Sequence, residues 1–234
     1  VLFVCSNRLL LMDLKIFCSV SKVILCFLIL GDMHPFFYLC RAKKDTMDHE
    51  LIQFLSEFIT AERLSLFNRI LSLRTNYLTV VLEDLYQTQN TSAVVRTADC
   101  FGIQNVHVIE NKHSFQVNPD VVRGASNWVT VNRHNGKEMN TPEALKKLRR
   151  DGYRIVLASP HECDTNLEDF DLNKGKAALV FGCERPGLTE WAKKEADEFM
   201  KIPMVGFTES LNVSVASGVC LYEALRQRLL KTDK

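Results

Sequence analysis

The chain has almost no charge of one sign to spare: 29 Lys and Arg stand against 28 Asp and Glu in 234 residues, a formal +1. Composition therefore supplies no electrostatic footprint for a nucleic acid. No two glycines are spaced G-x-G, which removes the usual dinucleotide and Rossmann methyltransferase fingerprint. Eight cysteines are present, but none form C-x-x-C and no Cys/His spacing suits zinc, so no metal is expected. Cys5, Cys18, Cys26 and Cys40 precede residue 47, while Cys100, Cys163, Cys183 and Cys220 are scattered. Such a set reads as reduced, mostly buried thiols in a cytoplasmic protein. Internal repeats and low-complexity segments are missing too. What remains is ordinary for a soluble globular chain: 47% hydrophobic, 24% charged, and long enough for one domain or one with a small appendage.

A long hydrophobic run is also lacking. The best, Ile16 to Leu30, is broken by Lys22 and falls short of the roughly 20 residues of a membrane span. Lys15 and Lys22 sit where a signal peptide carries its charge, yet no small-residue cleavage site follows. Residues 1–46 differ in character from the rest, whereas Met47 opens MDHELIQFLSEF, an ordinary start to a soluble helix. The expectation is that residues 1–46 are translated upstream sequence and that Met47 is the true start. A genuine membrane anchor is the alternative.

Beyond Met47, apolar spacing predicts helices over residues 49–74: Leu51, Phe54, Leu55, Phe58, then Leu64, Phe67, Ile70 and Leu71, with Thr60 as N-cap. Strands are expected at 77–82, 105–109, 128–131, 154–158, 177–181 and 199–204. Helices are expected at 91–101, from Thr141-Pro142, after Thr189, and at 213–230. Strands alternating with helices call for a parallel sheet covered on both faces, an α/β fold.

The most informative stretch is Ile202 to Glu223, IPMVGFTESLNVSVASGVCLYE. Pro203 keeps its start out of a helix. A polar turn follows, then a helix whose stripe is read as Val213, Ala216, Val219, Cys220 and Ala224. Ser210, Asn212 and Ser214 could simply cap that helix, but capping needs one such side chain and the turn offers several. Upstream, Gly182-Cys-Glu-Arg-Pro-Gly187-Leu188 has the glycine spacing of a phosphate loop without its essential lysine, so nucleotide hydrolysis is not expected.

Taken together, Asn90–Gly102 (NTSAVVRTADCFG), Phe181–Leu188 (FGCERPGL) and Ile202–Glu223 resemble, in order, the three signature motifs of the SpoU (TrmH) family of RNA ribose 2′-O-methyltransferases, in the SPOUT superfamily. The resemblance runs from about Tyr77 to Arg228. It implies a parallel sheet flanked by helices with a C-terminal trefoil knot, preceded by a short helical region over 47–76. It also implies S-adenosyl-L-methionine as cofactor, held at Ser159, Gly182, Ile202 and Leu211, and a homodimer. The family's arginine falls on Arg96, and Asn90, Glu184, Ser210 and Asn212 match its other polar positions. A guanidinium with a pKa above ~12 is a poor base. Arg96 is therefore read as the cation that orients phosphate and stabilises the developing alkoxide.

The short N-terminal region is most similar to the tRNA (guanosine-2′-O)-methyltransferase branch, which modifies a guanosine in the D-loop. Arg63, Arg69, Arg74, Arg226 and Arg228 are then expected at tRNA phosphates; a solvated face, or cations near a helix end, would explain them without RNA. Ribosomal RNA as substrate, or an RNA-binding member that has lost catalysis, are the alternatives.

Overall fold

The computed structural model describes residues 4–5, 8–9, 49–162, 164–185 and 187–232. The reading of residues 1–46 lies outside the described residues, except for a short antiparallel pair, Val4–Cys5 (β1) with Arg8–Leu9 (β2). Two compact units divide the chain, Val1–Asn68 and Arg69–Lys234, which puts the boundary earlier than Tyr77. In the first unit, helix α1 spans His49–Ser56 and α2 begins at Ala61, with the Arg63 amide on the Thr60 hydroxyl at 3.3 Å as the cap. Helix α2 ends at Leu73, beyond the boundary. Among the described residues no helix is long and apolar enough to cross a membrane.

The second unit is built on a seven-stranded sheet in the order β5-β4-β3-β8-β6-β9-β7. Its strands are Leu78–Glu83 (β3), Asn105–Ile109 (β4), Thr130–His134 (β5), Arg154–Ala158 (β6), Thr165–Asn166 (β7), Ala177–Phe181 (β8) and Glu198–Lys201 (β9). All its pairings are parallel. A parallel sheet needs helices on both faces, and its strands then read as continuous apolar runs. Alternation along each strand divides the core accordingly. Val80, Leu82, Val156, Leu179 and Phe181 pack in one cluster with Val94, Val95 and Ala98 of α3 (Thr88–Cys100) and Leu221 and Ala224 of α7 (Val213–Thr232). Val81, Ile155, Leu157, Ala178 and Val180 pack in the other with Ala144, Leu145 and Leu148 of α5 (Thr141–Arg150) and Ala192 of α6 (Glu190–Lys194). A single-turn helix, α4 (Pro119–Val122), lies against α3.

Several local expectations change. Helix α3 starts at Thr88 with Gln87 as its N-cap, so Asn90 is inside the first turn and free for another task. Helix α5 takes in Thr141 as its first residue, with Asn140 at the N-cap. The buried stripe of α7 runs through Val213, Ser217, Cys220, Leu221 and Ala224, leaving Val219 exposed. Of the cysteines with described side chains, Cys220 is buried with its thiol pushed up to about 12 by burial, whereas Cys100 is exposed. That is a mixed set rather than a mostly buried one.

A pair of histidines makes the fold sensitive to acid. His107 on β4 and His134 on β5 share a hydrogen bond, Nδ1 to Nε2 at 3.0 Å. Burial pushes His107 down to about 4, helped by His134 and Lys147; burial also lowers His134, with Lys147 adding to it and Glu143 opposing. An unfolded histidine takes its proton near pH 6.5, before the folded one does, so this stability is whole above about 6.5 and is lost as pH falls towards 4. For His107 the loss is roughly 3 kcal/mol. Urea unfolding at pH 7.5 and 4.5 should show that difference, and His107→Gln should remove most of it.

Candidate active site

The crevice that matters is fixed by topology. Strands β3 and β8 are neighbours, with Leu82 beside Phe181 at their C-terminal ends. After β3 the chain turns to α3 on one face, and after β8 it turns to α6 on the other. Loops that part in this way leave a cleft at the sheet edge, the usual ligand site of open α/β sheets.

Three of the expected residues meet there. Asn90, buried in the first turn of α3, donates through Nδ2 to Glu184 Oε1 in the loop after β8, and to Gln87 Oε1 at 3.1 Å. Its Oδ1 accepts from Asn212 Nδ2 at 3.2 Å. Asn212 also caps α7, accepting from the Ser214 amide at 2.9 Å and the Ser214 hydroxyl at 2.6 Å. The capping role and the site role thus coexist in one side chain. Asn90 uses its amide to tie together segments 94 and 122 residues away.

Arg96 and Ser210 stand apart from this cluster. Arg96 lies six residues on from Asn90, about 9 Å along the helix axis. It is exposed and, among the described residues, makes no ion pair or hydrogen bond. Ser210 is exposed in the loop before α7. An exposed cation without a partner among the described residues is available to an anionic ligand.

The loops after β6, β8 and β9 are adjacent, as the strand order requires. Ser159 Oγ accepts from the amides of His161 and Glu162 at 3.3 and 3.2 Å, bending the first loop. In that loop Glu162 Oε2 is buried and has no hydrogen-bond partner among the described residues, though Oε1 pairs with Lys193 at 3.0 Å. In the second loop Gly182 faces the Gly187 backbone so closely that a Cβ would sit 2.5 Å from its carbonyl carbon. In the third, Ile202 packs against the core, Leu211 is partly open, and Val205 and Phe207 are fully exposed.

Two features escaped the sequence reading. Glu83, at the end of β3 and 1% exposed, accepts from the hydroxyls of Thr141 and Thr189, each at 2.6 Å, and from the Thr189 amide at 2.9 Å. It locks the starts of α5 and α6 to the floor of the crevice. Asp84 adopts a left-handed conformation at φ 53 and accepts three consecutive amides, Asn111, Lys112 and His113, at 2.7–2.9 Å. An Asx-type residue tolerates that conformation better than most.

The arginines expected at RNA divide. Arg74 is a correction: it lies past the end of α2, its side chain is 8% exposed, and it is spent on Asp99 and on the Ile103 carbonyl at 3.1 Å. Arg226 forms a two-bond pair with Glu223 at 2.7 and 2.8 Å, and Arg228 donates to the Leu73 carbonyl at 3.0 Å. Arg69 is exposed, and Arg63 lies over the Phe67 ring at 5.9 Å. No group of three or more His, Cys, Asp or Glu among the described residues is arranged to hold a metal.

The chain is similar to known proteins. The tRNA (guanosine(18)-2′-O)-methyltransferase of Borreliella burgdorferi is 44% identical over 179 residues, 76% of this chain and 79% of that protein. The crystal structure of the TrmH/SpoU tRNA modifying enzyme of A. aeolicus superposes with a TM-score of 0.66 at 30% identity, covering 73% of this chain and 85% of that one. The SpoU methyltransferase AviRb of Streptomyces viridochromogenes, solved in complex with the cofactor AdoMet, superposes with a TM-score of 0.56 at 26% identity over 69% and 61% of the two chains. Residues 77–222 match the SpoU rRNA Methylase family. With one residue of each of the three polar motifs inside that span and meeting at one crevice, the chain belongs to the SpoU methylase family.

Proposed function

We propose that this protein transfers a methyl group from S-adenosylmethionine to the ribose 2′-hydroxyl of a guanosine in the tRNA D-loop. The observation that carries the reading is the Asn90–Glu184–Asn212 cluster, which joins one residue from each of the three motifs. Its substrate assignment is supported by the tRNA (guanosine(18)-2′-O)-methyltransferase that is 44% identical.

The loops fit the cofactor. The bare backbone at Gly182 lets the Gly187 segment close against it and fixes the shape of the loop, and the unpaired Glu162 Oε2 suits a hydroxyl donor. Ser159, Gly182, Ile202 and Leu211 would hold it, and when bound it supplies an electrophilic methyl group. A ribose hydroxyl is a weak acid and needs charge stabilisation as its proton leaves. Arg96 provides this, holding the adjacent phosphate and the developing alkoxide while a phosphate oxygen or water accepts the proton. Asn90 fixes the Glu184 carboxylate, and with Ser210 and Asn212 it keeps the loop shape that seats the target ribose. Arg63 and Arg69 remain available for the tRNA backbone.

The same reading includes a homodimer and the family's knot. Val215, Val219 and Tyr222 form an exposed stripe on α7 at helical spacing, a surface suited to a second copy. After β9 the chain returns past β6 and β8 to pack α7 on α3, which is the course a knotted C-terminus would take. A cytoplasmic location follows from the substrate.

Incubation with labelled S-adenosylmethionine and either unmodified tRNA or ribosomal RNA tests the assignment. Label should enter tRNA and leave ribosomal RNA nearly blank. Label in ribosomal RNA alone would overturn the substrate, and binding of RNA without any transfer would overturn the enzyme.

A further inference from the structure

The strongest unexplained feature outside the three motifs is an aromatic step at the mouth of the crevice. Tyr86 is 70% exposed, yet it immediately precedes Gln87, whose side chain holds Asn90. A large ring left in water on a loop entering an active site calls for an explanation. Its surroundings are unusually well fixed. The Tyr86 ring stands edge-on to His113, with centroids 5.2 Å apart at 77°. His113 is held through Nδ1, which lies 3.1 Å from the Asp84 carbonyl oxygen and 3.3 Å from its carboxylate. The Asp84 carboxylate in turn gathers the amides of residues 111–113. From the other side, Glu110 accepts the Phe115 amide at 2.9 Å and is itself clamped by Arg133 at 2.6 and 2.8 Å. The loop behind the ring is therefore rigid, while one face of the ring is open. Lys112, in the same loop, is exposed and has no ion pair among the described residues.

A braced aromatic face beside a cation is what a single-stranded nucleotide requires: a surface for the base and a charge for its phosphate. We propose that Tyr86, braced by His113, stacks against an unpaired base of the RNA at the entrance to the crevice and so helps hold the RNA there. Tyr86 is an RNA-positioning residue here, and the proposal rests on the RNA methyltransferase reading above. A merely structural Tyr86 would matter to folding; a stacking one matters to RNA.

The test compares wild type with Tyr86→Ala, Tyr86→Phe and Tyr86→Trp on unmodified tRNA, recording steady-state methyl transfer, tRNA affinity by filter binding, cofactor affinity and melting temperature. Loss of one base–aromatic stack predicts a KM and Kd for tRNA raised about 10- to 100-fold in Tyr86→Ala. Cofactor affinity and melting temperature should be unchanged and kcat nearly so, and Phe and Trp should restore binding. An Ala variant with wild-type KM and Kd would overturn the stacking role and leave the activity standing. Ala and Phe variants equally impaired would overturn it too, because the hydroxyl rather than the ring would then matter. Failure of the wild type to methylate tRNA would strike the function itself, and the ratio of Kd values would still decide the stack.

Discussion

Arg96→Ala should lose methyl transfer by about a thousandfold or more while cofactor affinity stays within about twofold. The reason is where Arg96 sits. It is exposed, without a partner among the described residues, and on the helix that carries Asn90, so its removal leaves no buried charge and breaks no internal contact. Folding should not suffer. What disappears is the one full positive charge carried by α3, and a ribose oxygen gaining negative charge depends on such a group more in the transition state than in the ground state. Arg96→Lys keeps the charge but not the planar fork, so it should recover only part of the rate. Single-turnover transfer with saturating tRNA, alongside calorimetric cofactor binding, checks both halves. Wild-type turnover in the alanine variant would remove Arg96 from the mechanism.

A single methyl group at Gly182 should be almost as damaging, by a different route. A Cβ there would lie 2.5 Å and 2.6 Å from the Gly187 carbonyl carbon and oxygen and 2.6 Å from the Leu188 amide nitrogen. All three are backbone atoms, so no flexible side chain can move aside. Nor can the loop easily retreat. Gly187 donates to the Cys183 carbonyl at 3.0 Å, Leu188 is buried in the core, and Thr189 is tied to Glu83. Gly182→Ala should therefore weaken cofactor binding by at least about a hundredfold and cost roughly 2–4 kcal/mol of stability, among the larger losses single substitutions cause. Gly218→Ala is the matched control. Its Cβ would meet only Thr97 Cγ2 at 3.7 Å, ordinary contact inside α7, and alanine there should stabilise by about 0.5–1 kcal/mol. Calorimetry and thermal melting of the two variants separate a blocked loop from a general dislike of alanine.

Much of this molecule can be read from its sequence because parallel strands advertise themselves. Residues 105–109, 154–158 and 177–181 are strands with the expected limits, since an apolar run bounded by polar residues leaves little else to be. The motif residues Asn90, Glu184 and Asn212 do converge. Other features lie beyond any local pattern. Glu83 finds its partners 58 and 106 residues away, and nothing in LTVVLE distinguishes a buried hub from a strand-ending surface acid. Asn90 has the composition of a cap, and only the long-range bonds to Glu184 and Asn212 show that it does something else. Arg74 looks like its exposed neighbours until Asp99 is seen beneath it. Val219 fits the helical period of the buried stripe, yet packing rotates that stripe onto Ser217 and Leu221. Tyr86 falls in YQTQN, where no periodicity exists to mark it.

The most direct test of the account is the identity and place of the product. Unmodified tRNA methylated by this protein should be digested with a base-specific ribonuclease and its fragments sequenced by mass spectrometry. One added methyl on the ribose of a D-loop guanosine, dependent on Arg96, is the predicted result. A methyl on a base, or on a ribose outside the D-loop, would contradict it.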